Sequence, residues 1–181
     1  MNVYIWTSEE LKNDYIGLWE ITYSQTNTTA NTFTNISQNG YKVKKVVLSA
    51  YIYTSGSSSS DAWVSIGIAD KNPQSKRIAV FIYVWNQSTV ETQMYNGSSY
   101  DLLTYQRNLS YATTRTLFTY TITQDSISWT YWNTTYTPTL NSSQKSIITS
   151  ILNSSDICFK WRYDNIARSD NYTCTVEYEP A

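Results

Sequence analysis

The carboxylate side chains are the first residues in this sequence that could carry out chemistry. Glu177 and Glu179 stand two positions apart in VEYEP, so an extended strand would place both on one face. Acid–base cleavage of a glycosidic bond requires such a pair. We expect these two residues to be solvated charges instead, and Glu20 in LWEIT has no evident partner. The sequence therefore predicts no catalytic residues.

Histidine is absent from the sequence. It is the side chain that most often transfers protons near neutral pH, and it is the commonest metal ligand. A Ser-His-Asp or Cys-His site is therefore impossible. Asp70 and Asn72 in GIADKNPQSKR could offer oxygen ligands to calcium, but their spacing fits no calcium motif, and such turn residues usually bond to the local backbone. We expect no metal and no cofactor.

Nine of the fifteen asparagines stand in Asn-x-Ser/Thr sequons. Because serine and threonine are abundant, a polar surface would create some of these motifs by accident. Several sequons follow predicted strands or lie in turns, where a side chain faces water and can accept a glycan. We therefore expect N-glycosylation at several of these sites. The candidates are Asn27, Asn35, Asn86, Asn96, Asn108, Asn133, Asn141, Asn153 and Asn171.

Cys158 and Cys174 are the only cysteines in the sequence. An even number of cysteines fits one disulfide in an oxidising environment. The alternation of side chains conflicts with direct pairing, because a register that sets Cys158 opposite Cys174 mixes core-like and solvent-like residues on one face. A bulge, or a sheet covered on both sides, would remove the conflict. We expect the disulfide, with two buried free thiols as the alternative.

The most apolar run, RIAVFIYVWNQ from Arg77 to Gln87, has two faces of different character. One face is aliphatic and largely β-branched, which suits tight packing between sheets. The other face is aromatic, and its Tyr83 and Trp85 carry a polar atom that prefers water or a partner. We therefore place the aliphatic face in the core and these two aromatic residues on the opposite face. The aliphatic residues are Ile78, Val80, Ile82 and Val84.

Accessible aromatic rings on a strand could bind sugars. A flat ring stacks on the C–H face of a sugar, and the contact can contribute about 0.5–1.5 kcal/mol beyond simple burial. The alternative is a central strand that protein covers on both faces. The glycan-binding candidates are Tyr83, Trp85, Trp129 and Tyr131.

Alternation with a period of two dominates the chain and predicts the elements that position these residues. Many short strands with polar turns between them are typical of an antiparallel sandwich. The clearest unit is the hairpin FTYTITQDSISWTYWN, with Gln124 and Asp125 at its turn. Strands are predicted near 17–24, 43–53, 62–69, 77–86, 116–123, 126–133, 156–163 and 171–178, and shorter ones near 90–95 and 99–105.

Two segments break this alternation. SSQKSIITSILN, Ser142 to Asn153, places its isoleucines and leucine at helical spacing behind a serine that can cap the first turn. TSEELKND near the start has Thr7 with Glu10 three residues later, a capping box for one or two helical turns. We expect one or two short helices that cover the sandwich. The run SGSSSSD is a loop between strands, so residues 1–181 form a single domain.

The succession VSIGIADKN, RIAVFIYVWN, the hairpin and YTCTVEYEP resembles concanavalin A-like lectin and laminin G-type jelly rolls, over roughly Tyr41 to Pro180. The resemblance implies two curved sheets, one of which presents its concave side to a ligand. The related glucanases carry an E-x-D-x-E strand, which this sequence lacks. The resemblance therefore implies binding and not hydrolysis.

Charged residues make up 15% of the chain, against roughly 25% in an average soluble protein. The formal net charge is −1. Nucleic acid is an unsuitable partner, because its recognition needs a concentrated basic surface. No window approaches the roughly 20 apolar residues of a membrane span. The Tyr/Ser/Thr/Asn/Ile-rich, sequon-rich composition resembles surface and virus proteins of thermoacidophilic archaea.

These observations predict an all-β, two-sheet jelly roll on the outside of a cell or on a virion. We expect a non-enzymatic glycoprotein that serves in attachment, by glycan binding, or in coat formation. A self-assembling subunit of a capsid, fibre or pilus-like thread is the alternative, in which an N-terminal strand such as NVYIW is donated to a neighbouring sheet. A secreted glycan-active hydrolase comes third.

Overall fold

A computed structural model provides the fold of the chain. It describes residues 19–25, 32–54, 63–70, 76–83, 88–109, 116–131, 133–163 and 167–181. The helical turns expected near Thr7 and the loop SGSSSSD lie outside these residues.

The described residues contain twelve strands and one helix. The helix, α1, covers Ser142–Leu152, as predicted. The strands are β1 (Trp19–Gln25), β2 (Thr32–Asn35), β3 (Tyr41–Thr54), β4 (Trp63–Asp70), β5 (Arg77–Tyr83), β6 (Ser88–Tyr95), β7 (Tyr100–Leu109), β8 (Thr116–Thr123), β9 (Ile127–Tyr131), β10 (Thr134–Tyr136), β11 (Ile157–Tyr163) and β12 (Ala167–Pro180).

The strands form two six-stranded antiparallel sheets, which confirms the predicted sandwich. The first sheet has the order β1-β12-β3-β8-β9-β10, and the second has the order β2-β11-β4-β5-β6-β7. Each predicted strand has a counterpart, whereas β2 and β10 were not predicted. These two are edge strands of four and three residues, too short for alternation to be recognised.

The predicted N-cap of the helix is wrong by one residue. Asn141, and not the serine that follows it, is the N-cap, and its side chain accepts a hydrogen bond from the backbone N–H of Gln144 at 2.9 Å. The Gln144 side chain in turn accepts from the backbone N–H of Asn141 at 3.0 Å. This reciprocal capping box satisfies two backbone donors that the first helical turn would otherwise leave unpaired.

The core between the sheets packs aliphatic side chains against aromatic ones. The second sheet contributes Ile78, Val80 and Ile82 of β5, all fully buried, so the predicted inward face of this strand is confirmed for these residues. Val84 lies outside the described residues. The first sheet contributes most of the large buried rings, namely Phe118, Tyr120, Trp129, Tyr131, Tyr172 and Tyr178.

Two buried hydrogen bonds connect the sheets. The Tyr178 hydroxyl donates to the backbone carbonyl of Ile36 at 2.7 Å. The Trp129 indole N–H donates to the Thr104 hydroxyl at 3.3 Å, and Thr104 donates to the Thr92 hydroxyl at 2.9 Å. Since buried polar groups are costly when unpaired, these contacts let a tryptophan and two threonines lie in the core.

A bulge interrupts the pairing of β6 with β7. Thr92 pairs with Thr104 and Gln93 pairs with Leu102, so Leu103 is the extra residue on β7. A bulged residue shifts the alternation that follows it by one position. Leu102 and Tyr105, three residues apart, therefore both face outward, with 57% and 40% of their surface exposed.

Candidate functional site

The outer face of the first sheet is covered mainly by hydroxyl side chains that pair with one another across strands. Thr22 and Thr175 lie 3.1 Å apart between their hydroxyl oxygens, and Thr130 and Thr135 lie 2.9 Å apart. A similar pair joins Ser49 to Thr173 at 2.5 Å. Such side chains satisfy much of one another's hydrogen-bonding capacity, which makes this face a weak candidate for a ligand site.

The carboxylates considered for catalysis lie on this same face. Glu20 of β1 stands directly opposite Glu177 of β12, a juxtaposition that the sequence did not predict. The Lys45 ammonium forms an ion pair with Glu177 at 2.5 Å, and about a third of each side chain is exposed. A catalytic carboxylic acid is normally kept protonated by burial. Glu20 is exposed and Glu177 is ion-paired and partly exposed, so neither carboxylate lies in a buried site of that kind.

The outer face of the second sheet presents aromatic side chains over β5, β6 and β7. Arg77, Tyr95 and Tyr100 stand side by side on the three strands. The two tyrosine rings lie 4.7 Å apart between centroids, and the Arg77 guanidinium carbon lies 4.8 and 5.1 Å from the two ring centroids. These cation–π contacts hold the arginine against the rings. We call these three residues the first row.

A second row crosses the same strands four residues along β6. It consists of Phe81, Glu91 and Tyr105, in register on β5, β6 and β7. Between the two rows lie Ala79, Gln93 and Leu102, and the Gln93 amide donates to the Glu91 carboxylate at 3.1 Å. The two rows with the residues between them form the binding face. It combines exposed rings with a carboxylate, an amide and a guanidinium, the groups that suit a ligand rich in hydroxyls.

Two of the predicted sugar-binding residues are wrong, because they lie in the core. Trp129 is 1% exposed and Tyr131 is 0% exposed. Their neighbours on β9, Ser128 and Thr130, alternate to the outer face. The sequence contained this signal, since the apolar set of the hairpin faces one way and a serine–threonine set faces the other. Tyr120, on the same buried face, has a pKa raised well above its usual value by burial.

The other two predicted sugar-binding residues stay predictions. Tyr83 ends β5 at a position in register with Thr89, but its side chain is outside the described part of the chain, as is the whole of Trp85. Phe81, two residues before Tyr83, lies on the outer face as the alternation requires. Phe81 is the one aromatic side chain of β5 that the structure describes, and it places the aromatic face of this strand on the outside of the sheet.

Sequence reasoning missed the tyrosines of the binding face. Tyr95 and Tyr100 flank the turn at Asn96, which lies between the strands predicted near 90–95 and 99–105, and a hairpin brings residues equally distant from its turn face to face. That signal was available. Tyr105 was not predictable in the same way, because its orientation depends on the bulge at Leu103.

The predicted disulfide is wrong. Cys158 lies on β11 of the second sheet and Cys174 on β12 of the first, and both are buried and form no disulfide. The Cys174 side chain points into the core between the sheets. The Cys158 side chain lies on the other face of the second sheet, away from this core, where it donates to the backbone carbonyl of its pairing partner Ala69 at 3.4 Å. Thiols that point away from each other in different sheets cannot be bridged without backbone movement.

Alkylation should find both cysteines as reduced thiols, not bridged to each other. In guanidinium chloride without reductant, we expect iodoacetamide to add two labels to the intact mass. The folded protein should react slowly, because Cys174 is buried and burial holds the pKa of its thiol well above the usual value, which leaves little reactive thiolate. A mass lower by about two hydrogens, with linked peptides containing both cysteines, would contradict this arrangement.

Five of the nine sequon asparagines have described side chains. Asn35, Asn133, Asn141 and Asn153 are exposed, and Asn96 is half-buried. The side-chain oxygen of Asn35 accepts hydrogen bonds from the backbone N–H and the hydroxyl of Ser37, each at 2.7 Å. The side-chain oxygen of Asn96 accepts from the same two groups of Ser98. Glycosylation stays a prediction at all nine positions. Asn108 and Asn171 lie on strands without described side chains, and Asn27 and Asn86 lie outside the described ranges.

The described ranges contain neither a cluster of metal ligands nor a helix that could span a membrane. Within them no three acidic, cysteine or histidine side chains cluster as metal ligands. One carboxylate oxygen of Asp70 is buried without a hydrogen-bond partner there, and Asn72 falls outside them. No helix in the described ranges is long and apolar enough to cross a membrane.

Three solved structures match this chain at very low sequence identity. The CBM2 module of the evolved Dit of Lactobacillus casei BL23 phage J-1 matches with a TM-score of 0.58 at 10% identity, over 89% of this chain and 76% of that one. Sheep galectin-11 matches with a TM-score of 0.48 at 8% identity, over 82% and 99%. The GH43 protein BlXynB of Bacillus licheniformis matches with a TM-score of 0.49 at 5% identity, over 88% and 32%.

No family model and no curated protein matches the sequence. Identities this low concern the fold alone. Of the three structures, the phage module alone has a TM-score above 0.5. Its match confirms the jelly-roll sandwich. The chain thus shares its two-sheet sandwich fold with this module.

Proposed function

We propose that the chain is a non-enzymatic glycan-binding module that serves in attachment on the outside of a cell or on a virion. The observation that carries the proposal is the binding face, where exposed Tyr100 and Tyr105 flank the polar pair of Glu91 and Gln93. Rings supply stacking surfaces for sugars, and the polar pair supplies hydrogen-bonding partners for hydroxyls.

The fold likeness supports the same proposal. The CBM2 module with the matching fold belongs to a phage protein, so a virion-borne attachment role is compatible with this architecture. The carboxylates of Glu20 and Glu177 lie on the opposite, hydroxyl-rich face, away from the binding face.

Replacing Tyr100 by alanine should weaken glycan binding without unfolding the protein. The ring is 57% exposed, but its loss also removes the contacts with the Tyr95 ring and the Arg77 guanidinium, so the free energy of unfolding should fall by about 1–2 kcal/mol. One lost stacking contact should weaken binding by a factor of about 2 to 12. Binding is measured on an array of glycans and then by titration calorimetry with the strongest ligand.

Leu117→Ala is the matched control for this variant. Leu117 is also an exposed apolar residue, at 47%, but it lies on the outer face of the first sheet. Binding should be unchanged in the control. Equal loss of binding in both variants, or no arrayed glycan bound by the unmodified protein, would refute the proposed function.

A self-assembling subunit is the second candidate, and the β7 edge favours it. β7 is ten residues long and forms the end of the second sheet in the described order, whereas the edges β2 and β10 are much shorter. It also carries exposed Leu102 and Tyr100. A long apolar edge strand offers unpaired backbone groups to a second copy. The donated strand NVYIW lies outside the described residues.

If the β7 edge assembles, Leu102→Lys should disperse the protein. A lysine at an edge position disfavours edge-to-edge pairing because two copies would bring like charges together. Analytical ultracentrifugation should then show dimers or larger species for the unmodified protein and monomers for the variant. A monomer at every concentration of the unmodified protein would count against the subunit candidate.

A further inference from the structure

We infer that the binding face takes a linear, uncharged oligosaccharide that lies along β6 and β7 and contacts both rows, in preference to a single sugar. This inference rests on the proposed function and specifies its ligand class. It is carried by the spacing of the two rows, by their charges and by the polar groups between them.

The spacing of the rows exceeds one sugar ring. Tyr95 of the first row and Glu91 of the second stand four residues apart on β6. At the rise of an extended strand this separation is about 13 Å. Each row has its own exposed ring, Tyr100 in the first and Tyr105 in the second. A ligand that contacts both rings must therefore contain at least two linked sugars.

The charges of the rows balance. The first row contains one guanidinium, that of Arg77, and the second contains one carboxylate, that of Glu91. Arg77 is held against two tyrosine rings, which fixes the position of its charge. A polyanionic glycan requires a surface with an excess of positive charge, whereas the binding face carries one charge of each sign. An uncharged glycan is the class that fits.

The groups between the rows point to hydroxyls along the chain. The Gln93 amide donates to one Glu91 oxygen at 3.1 Å. The second carboxylate oxygen of Glu91 and the side-chain amide oxygen of Gln93 form no hydrogen bond with the described residues. Both side chains are half-buried. Two acceptors midway between two rings suit sugar hydroxyls that donate to them while the rings stack on neighbouring sugars.

Titration calorimetry with oligosaccharides of increasing length tests the inference. The probes are cello-, xylo- and β-1,3-gluco-oligosaccharides of one to six units, with polygalacturonate and heparin as polyanions. We expect affinity to rise by a factor of about 2 to 12 once a chain is long enough to reach the second ring, and then to level off. The polyanions should bind no more tightly than the neutral chains.

The two tyrosines provide the internal comparison. Tyr100→Ala and Tyr105→Ala should each abolish the gain with length, and Leu117→Ala should preserve it. Thermal melts check that each variant folds. A monosaccharide that binds as tightly as its longest oligomer would overturn the inference while the proposed function stands. Preferential binding of a polyanion would do the same, and no binding of any saccharide would refute both.

Discussion

Gly67→Ala is expected to destabilise the protein by about 3 kcal/mol, because a side chain at this position has no room beside the neighbouring strand. A β-carbon at Gly67 would lie 2.7 Å from the Cα and 2.9 Å from the Cβ of Ala79, and it would also overlap the backbone carbonyl of Ile78. Two of these three atoms belong to the β5 backbone, which cannot move without breaking its ladder with β4 or β6.

An opposing effect is too small to change the sign. Alanine restricts the unfolded chain more than glycine and would by itself stabilise the fold by about 0.4–1 kcal/mol. The expected strain exceeds this gain. Ala79 lies between the two rows of the binding face, so a displaced β5 should also weaken glycan binding.

Urea unfolding of Gly67→Ala and of Ser65→Ala measures the effect. Ser65 lies two residues earlier on β4, on the same face, and is half-buried, so its replacement should cost at most about 1 kcal/mol. An unfolding midpoint for Gly67→Ala equal to that of the unmodified protein would show that β5 yields easily. In that case the close approach of β4 to β5 would not be the reason for a glycine at position 67.

Trp129→Ala is expected to cost about 3–5 kcal/mol in the free energy of unfolding, because the indole is fully buried. Its ring stacks on Tyr136 with centroids 5.1 Å apart and lies 6.4 Å from Phe118. Truncation would leave a cavity between the sheets and remove the hydrogen bond to Thr104 that connects β9 to β7. The same variant would lose glycan binding only through loss of the fold.

Trp129→Phe separates a core role from a ligand role. It keeps an aromatic ring but removes the indole N–H, so it should cost about 1–3 kcal/mol and leave a folded protein. Glycan affinity of the folded variant should stay within about twofold of the unmodified value. Tyr100→Ala should differ in its effect on the ligand, because binding should be reduced while the free energy of unfolding falls by only about 1–2 kcal/mol. A Trp129→Phe protein that melts normally but does not bind glycan would return Trp129 to the ligand site.

Much of the fold could be predicted from local sequence because alternation is a local property. The strands, the hairpin of β8 and β9, and helix α1 follow from side-chain periodicity, and so does the inward face of β5 with Ile78, Val80 and Ile82. The hydroxyl set on β9, with Ser128 and Thr130, also marks Trp129 as a core residue. The alternation on β9 therefore indicated a core position for Trp129, and the sugar-binding hypothesis for this residue was wrong.

The tertiary structure decided everything that depends on which strands meet. Cys158 and Cys174 stand on consecutive strands, yet β11 joins β2 and β4 while β12 joins β1 and β3, so the thiols lie in different sheets. No local pattern encodes strand order, because long-range pairing depends on the packing of the whole core. The bulge at Leu103 is a second case: it turns Leu102 and Tyr105 to one face. Strict alternation assigns those residues to opposite faces, so only the paired strands could assemble the binding face.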